Sequence, residues 1–153
     1  MGEGQGGKEV KPRVLFLCTG NSARSQMAEG YLRHVASDQY EALSAGIEPK
    51  RLNPLAVEAM REIGVDISSQ TSKDATKLLG QHIPYVVTVC DNARERCPIF
   101  PSTDTSLHWS IEDPAAAAGS HEEKLAVFRR ARDEIVARID KEFVRLPSTQ
   151  TAR

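Results

Sequence analysis

The chain has 153 residues, 40% of them hydrophobic and 27% charged, with a formal net charge of −1. That is length enough for one domain with a real core, and the charge balance gives no support to general affinity for nucleic acid or a membrane surface. No apolar run approaches the roughly 20 residues that span a bilayer, no charged-then-apolar leader opens the chain, and three cysteines suit a reducing cytoplasm better than a disulfide scaffold.

Residues 1–11 are glycine-rich and without apolar period, so they read as a flexible tail. A single domain is expected over 12–146, with a second tail at 147–153. Val14 to Leu17 form the continuous apolar run of a buried parallel strand, ending at Cys18. Gly20, Asn21 and Ser22 supply turn and N-cap chemistry. Met27, Ala28, Tyr31, Leu32 and Val35 then recur at helical spacing, which predicts a helix over 22–36. Tyr40 to Ala45 reads as a second strand, punctuated by Gly46. Asn53-Pro54 is an N-cap followed by a first-turn proline, with Leu55, Ala56, Ala59, Met60 and Ile63 on one apolar face and Gly64 as C-cap. Thr71, Ser72 and Lys73 precede a short helix ending near Gly80.

Tyr85 to Val89 is the second strong apolar run, and it too ends at a cysteine, Cys90. Residues 91–101 form a polar, proline-bearing loop that holds Cys97. Leu107 to Ile111 predicts a short fourth strand around Trp109, which is assigned to the core. After Asp113-Pro114 and an alanine-rich loop, one helix runs from Ser120 to about Leu146, with Leu125, Phe128, Ile135, Val136, Ile139 and Phe143 as its buried stripe. Strands alternating with helices predict an α/β fold, a three-layer sandwich around a four-stranded parallel sheet. Cys18, Cys90 and Asp113 then fall at or just beyond strand C-terminal ends, where open α/β sheets place ligands.

The chemistry concentrates in a C-x5-R-S segment from Cys18 to Ser25. Thr19, Gly20, Asn21, Ser22 and Ala23 can curl their backbone N–H groups around a tetrahedral oxyanion, with the Arg24 guanidinium closing the ring. The same field favours a thiolate over a thiol, so nucleophile and anion site come from one device. Ser25 can donate to the Cys18 sulfur, and Asn21 suits a positive φ or a bracing amide. Asp113-Pro114 alone is common turn chemistry, yet a thiolate attacking an oxyanion needs an acid for the departing oxygen, and Asp113 can supply it. Cys90 and Cys97 form a C-x6-C pair that is unconvincing as a zinc site. Their loop is long enough to join the two sulfurs on oxidation, and Arg94 and Arg96 between them favour thiolates. His34, His82, His108 and His121 show no ligand spacing.

Together, Cys18 to Gly30, Ser44-Ala45-Gly46, Asn53-Pro54, Val87 to Cys90, Cys97-Pro98 and Trp109 with Asp113-Pro114 resemble the thioredoxin-coupled arsenate reductases, which share the low-molecular-weight protein tyrosine phosphatase fold. The likeness covers residues 12–144 and makes that domain a phosphatase-like catalytic one. It implies reduction of arsenate to arsenite by a three-cysteine relay of Cys18, Cys90 and Cys97. Arg24 and the loop amides would hold arsenate, or phosphate or sulfate as analogues, with Asp113 and Ser25 assisting. No cofactor is bound, electrons come from thioredoxin, and a cytoplasmic monomer is expected. Two departures stand out. Some members bind potassium through residues matching Asn21, Glu29 and Ser44 plus a carboxylate, where this chain has Lys73, whose ammonium can pair with Glu29 instead. Ala115 to Ala118 follow Asp113-Pro114, where the phosphatases carry aromatic residues that grip phosphotyrosine. The alternatives are a low-molecular-weight tyrosine phosphatase, which leaves Cys90 and Cys97 unexplained, and an oxyanion sensor, which no DNA-binding segment supports.

Overall fold

A computed structural model describes residues 11–90 and 103–144. The expected tails apart from Lys11, residues 145 and 146, and the loop carrying Cys97 lie outside the described residues. The chain runs β1 (Arg13–Cys18), α1 (Arg24–Ala36), β2 (Glu41–Gly46), α2 (Pro54–Arg61), β3 (Tyr85–Thr88), β4 (Thr105–His108) and α3 (His121–Glu142), with short 3-10 turns at Ala75–Leu78 and Pro114–Ala116. The sheet order is β2-β1-β3-β4 and every pair is parallel. The expected α/β architecture with a four-stranded parallel sheet is the one that forms.

Val14, Leu15, Phe16 and Leu17 are each 0% exposed. Alternate residues of a strand point to opposite faces, so both faces of β1 are covered, which is why an unbroken apolar run marks it. From β1 the chain moves to β2 on one side, then crosses back to β3 on the other. The segments leaving β1 and β3 therefore diverge, and the crevice opens between them at their C-terminal ends.

Local chemistry sets the helix ends. Asn53 Oδ1 accepts from Leu55 N at 2.8 Å with Pro54 at the first helical position, and Gly64 takes φ +82° beyond α2. Ser120 and Glu123 form a reciprocal capping box at the start of α3. α1 packs on β1 and β2, and α3 on both other helices. Arg132 reaches from α3 to Ala59 O at 2.8 Å and Glu62 Oε1 at 2.9 Å. Hydrogen bonds from Arg129 and then Arg132 hold the Glu62 carboxyl down to about 2.

Three expectations shift. The fourth strand lies at Thr105–His108 rather than 107–111, because its ladder is limited by β3, running from Tyr85↔Thr105 to Thr88↔His108. Trp109, whose N–H still donates to Thr88 O at 2.8 Å, and Ile111 stay buried beyond the strand end, so burial outlasts the ladder. The short helix before Gly80 is a 3-10 turn capped by Asp74, which accepts from Thr76 N. The final helix closes at Glu142 with Phe143 as its C-cap, short of Leu146. Phe143 is 1% exposed and meets Tyr40, Tyr85, Trp109 and Phe16 at centroid separations of 5.4, 5.7, 6.3 and 6.4 Å, all edge-on. It pins the end of α3 to the sheet, as Trp109 does from the other strand edge. Phe143→Ala is expected to cost about 3–5 kcal/mol, read as a lowered midpoint in denaturant unfolding. An unchanged midpoint would mean that this cluster does not hold the helix.

Candidate active site

The segment between β1 and α1 is shaped by where its carbonyls go. Cys18 O accepts from Ile47 N at 3.3 Å, Thr19 O from Glu48 N at 2.8 Å, Gly20 O from Lys50 N at 2.7 Å, and Ser22 O from Asn53 N at 2.8 Å. Asn21 O accepts from Gln26 Nε2 at 3.0 Å and Ser72 Oγ at 2.8 Å, and Ala23 O from Met27 N at 2.8 Å. In a trans peptide the C=O and the next N–H point in opposite directions. Carbonyls tied outward therefore leave the N–H groups of residues 19–24 on the inner side, as an anion-binding nest requires. Asn21 N conforms, donating to Cys18 Sγ at 3.2 Å.

The start of α1 serves the same end. Its N-cap is Ala23, with no side-chain capping bond. Ser22, expected to cap, does not, so first-turn N–H groups remain for a ligand. The nest encloses a cavity of about 170 Å³, bounded by residues 18–20 and 22–24 of the loop together with Lys50, Asp113 and Ala115. A larger open depression of about 570 Å³ around Lys11, Gln81 and His82 holds no cysteine.

Asn21 is the keystone of the loop. It is 0% exposed and takes the left-handed φ of +48°. Lys73 N donates to its Oδ1 at 2.8 Å, which orients the amide. Nδ2 then donates to Ser25 Oγ at 2.7 Å and Ser44 Oγ at 2.9 Å. Ser25 Oγ lies 2.8 Å from Cys18 Sγ, and its hydroxyl is the donor of that pair whenever the sulfur is a thiolate. Cys18 itself is 3% exposed. Gly46 is required by close approach rather than as strand punctuation, since a Cβ there would lie 2.8 Å from Thr19 O and 2.9 Å from Asn21 N.

Arg24 donates from Nη1 to Ile111 O at 2.8 Å, and its Nη2 lies 3.7 Å from Asp113 Oδ1. Asp113 also caps the turn Pro114–Ala116, accepting from Ala115 N at 3.0 Å. Turn chemistry and a place at the site thus coincide in one residue. Val89 N donates to Leu17 O at 2.8 Å, which carries β3 alongside β1 as far as Cys90. Cys90 is buried, with Sγ 3.4 Å from Thr19 Oγ1. Cys97 lies outside the described residues. Behind the loop, Glu29 is 4% exposed. It accepts from Ser44 Oγ and Arg33, and Lys73 Nζ stands 3.5 Å from its Oε1.

The structure brings together Cys18, the residues after it, Arg24, Ser25 and Asp113, with Cys90 beside Thr19. Sequence reasoning missed Lys50 as a wall of the cavity, residues 46–53 as the donors to the loop carbonyls, and Arg33 as a partner of Glu29. Only Arg33, four residues after Glu29 on a helix, had a local signal. Among the described residues no three of His, Cys, Asp and Glu gather as a metal site would need, and no helix is long and apolar enough to cross a membrane.

The profile of the low molecular weight phosphotyrosine protein phosphatase family matches residues 13–150. An arsenate reductase of Halalkalibacterium halodurans is 53% identical over 129 residues, 84% of this chain and 93% of that one. A solved arsenate reductase in a phosphate-binding state superposes with a TM-score of 0.75 at 31% identity, covering 85% of this chain and 95% of that one. A thioredoxin-dependent arsenate reductase of Corynebacterium glutamicum gives a TM-score of 0.63 at 30% identity, covering 88% of this chain and 64% of that one.

Gly46→Ala forces the loop backbone to move, and displacements on the order of 1 Å cost binding sites heavily. Inorganic phosphate is expected to bind this variant at least about tenfold more weakly, by calorimetry, with the circular dichroism of the folded protein retained. Phosphate binding equal to that of the unmodified protein would show that residues 46–53 do not shape the nest.

Proposed function

Because the chain belongs to the low molecular weight phosphotyrosine protein phosphatase family, and the relative and both solved structures just described are arsenate reductases, we propose that it reduces arsenate to arsenite through Cys18, Cys90 and Cys97, with thioredoxin as electron donor. The observation that carries this reading is the second cysteine at the anion loop, with Cys90 Sγ 3.4 Å from Thr19 Oγ1. A phosphatase needs one thiol there; a relay needs another within reach.

Arsenate, tetrahedral like phosphate, sits in the nest with its oxygens on the amides of residues 19–24 and the Arg24 guanidinium. The Cys18 thiolate, accepting from Ser25 and Asn21 N, attacks arsenic. An arsenate oxygen leaves as water, its last proton supplied by Asp113. Cys90 as thiolate then attacks Cys18 Sγ. The electron pair of the sulfur–arsenic bond passes to arsenic, As(V) becomes As(III), and arsenite departs from a Cys18–Cys90 disulfide. Cys97 attacks Cys90 in turn, which frees Cys18 as thiolate and leaves a Cys90–Cys97 disulfide. Two thiols of thioredoxin reduce that bond. Each step after the first is thiolate attack on sulfur, so access and thiolate fraction govern its rate. The relay needs no bound organic cofactor. It requires a reducing compartment, which places the protein in the cytoplasm, and a monomer suffices.

The residues behind the loop do not fit a potassium ion. Lys73 and Arg33 bring two positive charges to Glu29, where a cation would have to lie. Turnover is therefore expected to stay within about twofold when sodium replaces potassium at constant ionic strength, and clear potassium activation would contradict the substitution.

The relay is tested by steady-state arsenate reduction coupled to thioredoxin, thioredoxin reductase and NADPH. Cys90→Ser and Cys97→Ser should each abolish arsenate turnover while keeping hydrolysis of a small aryl phosphate near the unmodified rate, and Cys18→Ser should remove both. Full arsenate turnover in Cys90→Ser and Cys97→Ser would remove the relay. Aryl phosphate hydrolysis without any arsenate turnover in the unmodified protein would favour the phosphatase reading, which Cys18, Arg24 and Asp113 would serve equally.

A further inference from the structure

The cavity wall contributed by Lys50 has no part in the chemistry described so far. Lys50 lies in the segment after β2, and its backbone is fixed at both polar groups. Its N–H donates to Gly20 O at 2.7 Å, and its carbonyl accepts from Ser72 Oγ. Its Cγ and Cδ lie 3.6 Å from the point where a side chain at Gly20 would begin. The side chain lies beside the anion loop and, with Asp113, lines the cavity. It makes no ion pair with any described residue.

The charges around the cavity show what such an ammonium would do. Arg24 is already shared, with one nitrogen on Ile111 O and another 3.7 Å from Asp113 Oδ1. Arsenate and phosphate enter near neutral pH largely as dianions, into a pocket that also has to hold the attacking thiolate. Even with Asp113 protonated to serve as the acid, Arg24 is one positive charge against a dianion and a thiolate, so the backbone N–H groups would face the remaining negative charge. A second mobile cation at the mouth, on a stem anchored to the loop, offsets that charge.

We propose that Lys50 is a substrate-binding residue: its ammonium closes the open side of the nest over a tetrahedral dianion and sets affinity for arsenate and phosphate alike. The inference deepens the reading of the same site as an arsenate-reducing one. It predicts an effect on binding rather than on the bond-making steps, because the ammonium meets the ligand's oxygens and not the sulfur. An exposed charge of this kind is screened by salt, so its contribution should fade as ionic strength rises.

The test is direct binding of inorganic phosphate by calorimetry, which requires no turnover. Lys50→Gln is expected to weaken phosphate binding about three- to tenfold at low salt, with the difference from the unmodified protein shrinking as sodium chloride is raised. Lys50→Arg should bind within about twofold of the unmodified protein. In the coupled assay, KM for arsenate should rise by the same factor in Lys50→Gln while kcat stays within about twofold. A merely structural role would lower the melting temperature, would not follow ionic strength and would not be rescued by arginine. Unchanged phosphate affinity in Lys50→Gln at low salt would overturn the proposal. Failure of the unmodified protein to bind phosphate would overturn the anion site and Lys50 with it. Phosphate binding that depends on Lys50 in a protein without arsenate turnover would uphold the proposal and overturn the arsenate reading alone.

Discussion

The outward-facing carbonyls of residues 18–23 are what the rest of the active site depends on. A loop of peptides can present its N–H groups to an anion only if its carbonyls are satisfied on the other side, because buried C=O groups left unpaired are costly. Here most of those partners are backbone donors of the segment that follows β2. That segment can come close enough only because position 46 has no side chain. Its last tie, Asn53 N to Ser22 O, is made by the residue that also caps α2. The second strand–helix unit therefore builds the backbone of the first unit's site.

A buried polar chain does the same for the nucleophile. Glu29, Ser44, Asn21, Ser25 and Cys18 are joined in sequence by hydrogen bonds, and all five are almost fully buried. The directions along it are not free. The Lys73 N–H orients the Asn21 amide, the amide donates to each serine, and Ser25 is placed to donate to sulfur in its thiolate form. Inside a protein such a network is worth having only when every member is satisfied. Arg33 and Lys73 meet that condition at its charged end, where an unpaired Glu29 carboxylate would be expensive. The cysteine is held by a chain that ends in two cations, Arg33 and Lys73.

The sheet order explains how residues distant in sequence reach one cavity. Because β1 lies between β2 and β3, the ends of both neighbours flank Cys18. One neighbour leads into Lys50 and the other into Cys90. Asp113 follows β4, one strand further out, and is brought back by the contact of Arg24 with Ile111 O. Aromatic packing keeps those strand ends in place from below, with Phe143 touching rings from β1, β3 and the segment just after β4.

Much of this was legible in the sequence where the controlling physics is local. The apolar runs of Val14–Leu17 and Tyr85–Val89 mark strands covered on both faces, and Asn53-Pro54 and Ser120 with Glu123 mark helix starts through bonds spanning two or three residues. The offset from Cys18 to Arg24 and Ser25 likewise announces a thiolate beside an oxyanion. Where the signal was ambiguous it misled, as when the apolar residues around Trp109 placed the fourth strand at 107–111 instead of Thr105–His108, since buried residues continue past the end of the ladder. Gly46 read only as the end of a strand, and Lys50 had no signal at all. Their partners are Thr19, Gly20 and Asn21, some 25 to 30 residues earlier in the chain, and a backbone hydrogen bond or a close approach across that distance imposes no periodicity on either segment. By itself the sequence determined which groups could do chemistry. Only the tertiary structure decided which way the loop's carbonyls face and which cation stands at its mouth, because both follow from parallel strands laid side by side.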